Sequence, residues 1–274
     1  MRILITNDDG YQAKGINTLV RIMKKYGDVV VVAPKTVQSG MSMAVTMGHK
    51  PIAVKKISEA PGEQWWYLDG TPASCVKFGI DNVMTDARPD VVICGINHGS
   101  NAATATLYSG TVGAAMEGAI NGVLSIAVSL DDFYSDADFS AVEEIFPAIF
   151  EKLVKNATGK FGILYNVNFP NCSSAEIKGI KVCNMAYVHW EDEYRHYNEF
   201  MRQFKLEPKP EDIEYLHRVE PGSEVYIMVG DMVVNPGNPE NSDHLMLQQG
   251  YITITPEKLD TTDYEELKRL CDII

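Results

Sequence analysis

Asp28-Val-Val-Val-Val-Ala33 is apolar at consecutive positions and is stopped by Pro34. An alternating strand buries one face; an unbroken run of β-branched residues marks a strand buried on both. Arg2–Thr6 and Asp90–Cys94 have the same character, and Leu124–Leu130 and Gly162–Val167 are further strand candidates. Helical spacing fills the gaps between them. Ile16, Leu19, Val20 and Met23 share one face of Gly15–Tyr26, and Val112, Ala115, Met116, Ala119 and Ile120 share one face of Gly110–Asn121. Thr71-Pro72 is a cap followed by proline at the first helical position, opening a helix to about Asn82. Asp138–Asn156 is a long helix expected to bend or break near Pro147. This βαβα order predicts an α/β fold, a mostly parallel sheet with helices on both faces.

The pattern changes further on. Met43–Asp69 is extended, alternating around Ile52–Val54 and Trp65–Leu68. After about Ala175 the chain is richer in β signals: a strand at Glu176–Val182, an aromatic and charged stretch at His189–Tyr197, and a hairpin over Glu224–Val234 turning at Gly230-Asp231. A strand at Tyr251–Thr255 and a helix at Tyr264–Cys271 follow. No repeat or low-complexity linker divides the chain. Residues 1–274 are therefore expected to form a single α/β domain, with 176–240 as a β-rich C-terminal extension used as an interface, a lid or extra core.

Composition removes several function classes. The chain has 24 basic and 37 acidic residues, a net charge of −13, which argues against a nucleic-acid polymer as ligand. A local site can still hold a small phosphate ester. Five cysteines, an odd number with no CxxC pair, point to reduced thiols and a cytoplasmic location. No apolar run is long enough to cross a membrane, and Asn7-Asp8-Asp9 interrupts the first apolar stretch before it could serve as a signal peptide. GxGxxG, GxxxxGK[ST] and Gly-x-Ser-x-Gly motifs are absent.

Three polar clusters fall where a parallel sheet presents its carboxyl edge: Asn7-Asp8-Asp9-Gly10, Gln38-Ser39-Gly40 and Gly95-Ile96-Asn97-His98-Gly99. Together they offer the oxygens of Asp8, Asp9, Ser39 and Asn97. Adjacent carboxylates repel, and a hard divalent cation such as Mg²⁺, Mn²⁺ or Ca²⁺ relieves that repulsion. Asp-Asp-Gly is equally a turn sequence, and Asp131-Asp132, which also follows a strand, is an internal control. Tyr108-Ser109-Gly110-Thr111 opens a helix. Its free N–H groups and hydroxyls suit a phosphate, although Ser109 is equally an ordinary cap. Two aspartates and one divalent ion are nearly neutral together, so a phosphate dianion needs these extra donors. Asp8, Asp9 and Asn97 are the candidate catalytic residues, with water activated by the metal as the attacking group.

Longer blocks carry a resemblance. Met1-Arg-Ile-Leu-Ile-Thr-Asn-Asp-Asp-Gly10, Val32-Ala-Pro34 with Ser39-Gly-Met-Ser42, and Asp69-Gly-Thr-Pro-Ala73 are joined by Gly95-Ile-Asn-His-Gly-Ser-Asn101 and Tyr108-Ser-Gly-Thr-Val-Gly-Ala-Ala-Met-Glu-Gly118. Ser242-Asp243 ahead of Gly250–Pro256 is a weaker echo. In these blocks the chain resembles the SurE (survival protein E) family of metal-dependent nucleotidases. The resemblance implies a Rossmann-like core and hydrolysis of nucleoside 5′- and 3′-monophosphates, with short polyphosphate as a further substrate. It implies one divalent metal on Asp8, Asp9, Ser39 and Asn97, substrate phosphate on Ser109, Gly110 and Thr111, and a homodimer or homotetramer built through C-terminal elements. Lys14 stands where the family commonly has proline, and Ala103 near a usual glycine; both affect loop shape. A nucleotide-binding regulatory module without turnover is the alternative.

Overall fold

Ile3, Leu4 and Ile5 are all fully buried, because the strand that carries them has a layer of helices on each face. The computed structural model describes residues 1–48, 50–208 and 210–274. In chain order the elements are β1 (Arg2–Thr6), α1 (Lys14–Met23), β2 (Asp28–Pro34), β3 (Val54–Ala60), β4 (Glu63–Leu68), α2 (Pro72–Phe78), β5 (Val91–His98), α3 (Gly110–Ile120), β6 (Leu124–Leu130), α4 (Ser140–Lys155), β7 (Ile163–Phe169) and β8 (Ile180–Val182). Then follow β9 (Val188–Glu191), β10 (Tyr194–His196), α5 (Tyr197–Phe204), α6 (Pro210–Leu216), β11 (Tyr226–Met228), β12 (Asp231–Val234), α7 (Asp243–Gln248), β13 (Ile252–Lys258) and α8 (Tyr264–Cys271).

One compact unit comprises residues 1–186 and 239–274. Its sheet has the order β3-β4-β2-β1-β5-β6-β7-β13-β8. Only the β3–β4 and β7–β13 pairs are antiparallel among the described residues. Strand alternation sorts the core. Ile3 and Ile5 pack with Ile16 and Leu19 of α1 and Phe146 and Phe150 of α4. Leu4 faces the other way, with Cys75 and Val76 of α2 and Val112 and Ala115 of α3. The expected α/β fold is therefore present.

Thr71 caps α2 by accepting from Ser74 N–H, with Pro72 behind it. The helix passes into a π-type turn over Gly79–Val83. Close approach fixes α1: a Cβ on Gly15 would lie 2.0 Å from the Ile96 carbonyl oxygen in β5. Gly15→Ala forces apart backbone that buried packing cannot release, and it should cost about 1–3 kcal/mol in urea denaturation.

Several local expectations change. α4 runs without interruption across Pro147, near which a bend or an interruption was expected. The strand expected from Glu176 begins only at Ile180, because the Glu176 carboxylate accepts from the N–H and hydroxyl of Ser173 and holds a turn. Residues 43–48 and 50–53 form no helix or strand, residue 49 of the expected extended stretch lies outside the described residues, and α7 is not anticipated by the sequence.

Residues 187–238 form a second compact unit. Its hairpin exists, but not as two halves meeting at Gly230. β9 pairs with β12 and β10 with β11, so residues 188–196 and 226–234 are the two arms, with α5 and α6 lying between them in sequence. Gly230 lies inside one arm. A Cβ there would meet Trp190 Cβ at 3.0 Å and the Glu191 carbonyl oxygen at 3.2 Å, so its smallness serves close strand approach. Beside this insertion the first unit is stitched: Asn184 N–H donates to the Asn241 carbonyl at 3.2 Å and Asp243 N–H to the Asn184 carbonyl at 2.8 Å.

Candidate metal and phosphate site

β1, β2 and β5 are parallel neighbours, so their carboxyl ends open at one edge of the sheet. Asn7–Gly10 leaves β1 there. Asn7 Nδ2 donates to the Gly10 carbonyl at 2.9 Å, and Gly10, at φ +95°, makes a turn that other residues resist.

The two aspartates reach away from that turn. Asp8 Oδ1 accepts from Thr111 Oγ1 at 2.7 Å and Asp8 Oδ2 from Thr111 N–H at 3.2 Å, across 103 residues of sequence. Asp9 Oδ2 accepts from His98 N–H at 3.2 Å and lies 2.9 Å from His98 Nδ1, across 89 residues. The internal control is mixed: Asp132 Oδ1 accepts from Tyr134 N–H, two residues on, as an ordinary Asx turn does, while partly buried Asp131 accepts from the Ser100 backbone.

The Ser39 loop is tied to the same place. Gln38 N–H donates to the Asp8 carbonyl at 2.7 Å, and Ser42 N–H to the Tyr108 carbonyl at 2.9 Å. Ser39 itself is exposed. Asn97 lies within β5, and its Nδ2 donates to the Gly99 carbonyl at 2.7 Å and the His98 carbonyl at 3.3 Å. That commits both amide hydrogens and reserves Oδ1 as an acceptor. A register shift between Cys94 and Asn97 where β5 meets β6 sets which way Asn97 points.

Gly110 is the contact between α3 and this turn. A Cβ on it would lie 3.0 Å from Asp8 Cβ and Oδ2 and 3.1 Å from the Gln38 carbonyl oxygen. Ser109 Oγ accepts from Val112 N–H at 3.1 Å and caps the helix; its own O–H remains a donor. Thr111, expected to face a phosphate, has both its N–H and its hydroxyl on Asp8.

The electrostatics are unbalanced. Asp8 is only 4% exposed, and no Lys or Arg pairs with Asp8 or Asp9 among the described residues. Burial, and then the charge of Asp9, push the Asp8 carboxyl up to about 6, against the hydrogen bonds from Thr111. Two carboxylates, a hydroxyl and an amide oxygen form an oxygen-only set, which fits a hard divalent cation. Among the described residues no three His, Cys, Asp or Glu side chains gather, so Asp8 and Asp9 would need the Ser39 hydroxyl and the Asn97 amide to complete a metal site. The donor chemistry therefore fits Mg²⁺, Mn²⁺ or Ca²⁺.

His98, given no role by the sequence, is partly buried, bound to Asp9 and edge-on to Phe139 at 5.1 Å. Its place beside Asn97 was the available signal. Glu117 is buried, accepting from Lys77 Nζ at 2.8 Å and Asn121 Nδ2 at 2.9 Å.

The family model described as "Survival protein SurE" matches residues 3–192. The protein named "5′-nucleotidase SurE" from Christiangramia forsetii is 38% identical over 269 residues, covering 98% of this chain and 95% of the relative. The protein of the same name from Cytophaga hutchinsonii is 36% identical over 268 residues, covering 98% and 95%. The crystal structure of the SurE protein from Aquifex aeolicus superposes with a TM-score of 0.77 at 31% identity, covering 100% of this chain and 99% of that one.

Proposed function

Because the chain belongs to the survival protein SurE family, we propose that it hydrolyses nucleoside 5′-monophosphates, and 3′-monophosphates as well, with the aid of a divalent metal. The observation that carries this reading is the long-range tethering of Asp8 and Asp9 to α3 and β5, which spends their carboxylates on a shared site and not on their own turn.

Asp8, Asp9, Ser39 and Asn97 would hold one divalent ion per chain, Mg²⁺, Mn²⁺ or Ca²⁺. When bound, such an ion supplies Lewis-acid polarisation of a phosphoryl oxygen and of water. Thr111 fixes the Asp8 carboxylate with two hydrogen bonds, and His98 fixes Asp9. Asn97 presents Oδ1 because its amide is pinned. The Ser109 hydroxyl and the Gly110 N–H would donate to the phosphate and to the charge that grows on it, while the Thr111 and Val112 N–H groups stay on Asp8 and Ser109.

Phosphate release from AMP with Mn²⁺, with and without EDTA, tests the reading. Release with metal and none after chelation is expected; nucleotide binding with no release would favour a regulatory module. Short polyphosphate, competed against AMP, tests the further substrate. The ion should also stabilise the fold, since a ligand at about 100 times its dissociation constant adds roughly 2.7 kcal/mol. Mn²⁺ should therefore raise the wild-type melting temperature and leave that of Asp8→Asn nearly unmoved.

The chain would work as a single α/β domain with residues 176–240 as an extension that joins a homodimer or homotetramer. Tyr187, Tyr194 and Met228 are exposed in that extension and support an interface. Light scattering should give the mass of two or four chains. The five unpaired thiols support a cytoplasmic location.

A further inference from the structure

Phe133 is 77% exposed, an unusual cost for a phenyl ring, and it lies where the loop after β6 turns over the edge described above. β6 runs beside β5 as far as the pair His98–Leu130, so the chain beyond Leu130 emerges next to Asn97 and His98. A Cβ on Gly99 would sit 2.3 Å from Phe133 Cε1 and 2.6 Å from Cδ1; the ring lies directly on that glycine backbone. The Gly99 carbonyl is the acceptor that pins the Asn97 amide.

Three other rings near this edge are engaged, while Tyr134, beside Phe133 in the loop, is itself 76% exposed. Tyr11 packs on Tyr67 with centroids 5.5 Å apart, Lys35 lies over Tyr67, and Phe139 is edge-on to His98. No ring contact engages Phe133 among the described residues. Its loop is nonetheless held. Lys14 Nζ donates to the carbonyls of Asp136 at 3.0 Å and Ala137 at 2.6 Å, and Asp131 N–H donates to the Phe169 carbonyl at 2.9 Å. A rigid, wet aromatic face beside a phosphate site matches what a nucleobase needs, because every base presents a π-face for stacking.

We propose that Phe133 is the platform on which the substrate's nucleobase stacks, the residue that separates nucleotides from other phosphate esters. The inference rests on the nucleotidase reading. It assigns substrate choice to stacking, which tolerates all bases, and to the loop that Lys14 holds in place.

The test compares AMP with ribose 5-phosphate, which keeps the sugar phosphate and lacks the base, in the Mn²⁺-loaded full-length protein. In Phe133→Ala the ratio of kcat/KM for AMP over ribose 5-phosphate should fall about tenfold, through KM for AMP, while Phe133→Trp keeps it. An unchanged ratio overturns the proposal, including one in which both substrates weaken equally. Binding supplies a readout that needs no turnover. In Phe133→Trp, AMP should quench indole fluorescence beyond the wild-type response, and ribose 5-phosphate should not. Quenching without phosphate release from either ester would end the nucleotidase reading and support the stacking one. Absence of AMP quenching overturns the stacking proposal.

Discussion

Asp9→Ala should lower kcat for AMP by on the order of 10³-fold or more at saturating Mn²⁺, since it removes one of the two anionic oxygens that would balance the ion and its phosphate. The fold should hardly change. Asp9 lies at the rim, and among the described residues its side-chain partner is His98. Its charge also raises the pKa of buried Asp8, so removing it relieves a repulsion in the metal-free protein. Urea denaturation without metal should therefore place the variant within about 1 kcal/mol of wild type. Near-normal turnover in a metal-replete assay would overturn the ligand assignment. Loss of turnover with a collapsed fold would overturn the claim that this carboxylate serves chemistry and not stability.

Gly113→Ala should separate activity from stability in another way. A Cβ there would lie 2.0 Å from the Ser42 carbonyl oxygen, 2.4 Å from its carbon and 2.9 Å from Met43 N, all backbone atoms that cannot rotate aside. The helix itself gains from the exchange, by about 1 kcal/mol in propensity. The half-buried Ser42–Met43 loop must give way instead, breaking the bond from Ser42 N–H to the Tyr108 carbonyl. Ser39 lies three residues upstream and moves with it. Displacement of about 1 Å at a reacting site costs about 100-fold, so kcat/KM should fall by that order while the melting temperature barely shifts. The Mn²⁺ concentration for half-maximal activity should rise as well. Wild-type metal dependence in this variant would take residues 39–43 out of the site.

What could be read ahead of the structure follows from how local each signal is. The valine run of β2 and the buried runs of β1 and β5 describe their own environments, so the sheet and its edge were legible, and with them the neighbourhood of Asp8, Asp9, Ser39 and Asn97. Thr111 and His98 were not legible in their positioning roles, because their partners are 103 and 89 residues away. Only the closed fold makes them neighbours. Residues 187–238 failed for a different reason. Short strands and helices of three to eight residues carry too few periods to declare themselves, and Gly230 served inter-strand space where it resembled a turn.

The hydrogen bonds that tie Asn184 to Asn241 and Asp243 have a design consequence. The main body receives the insertion through a closed doorway: the chain leaves and returns at residues that already hold each other. Whatever happens to the 52 residues between Ala186 and Pro239 in length or sequence, the sheet need not feel it. Such a module is free to diversify in its associations while the residues of the first unit stay under their own separate selection.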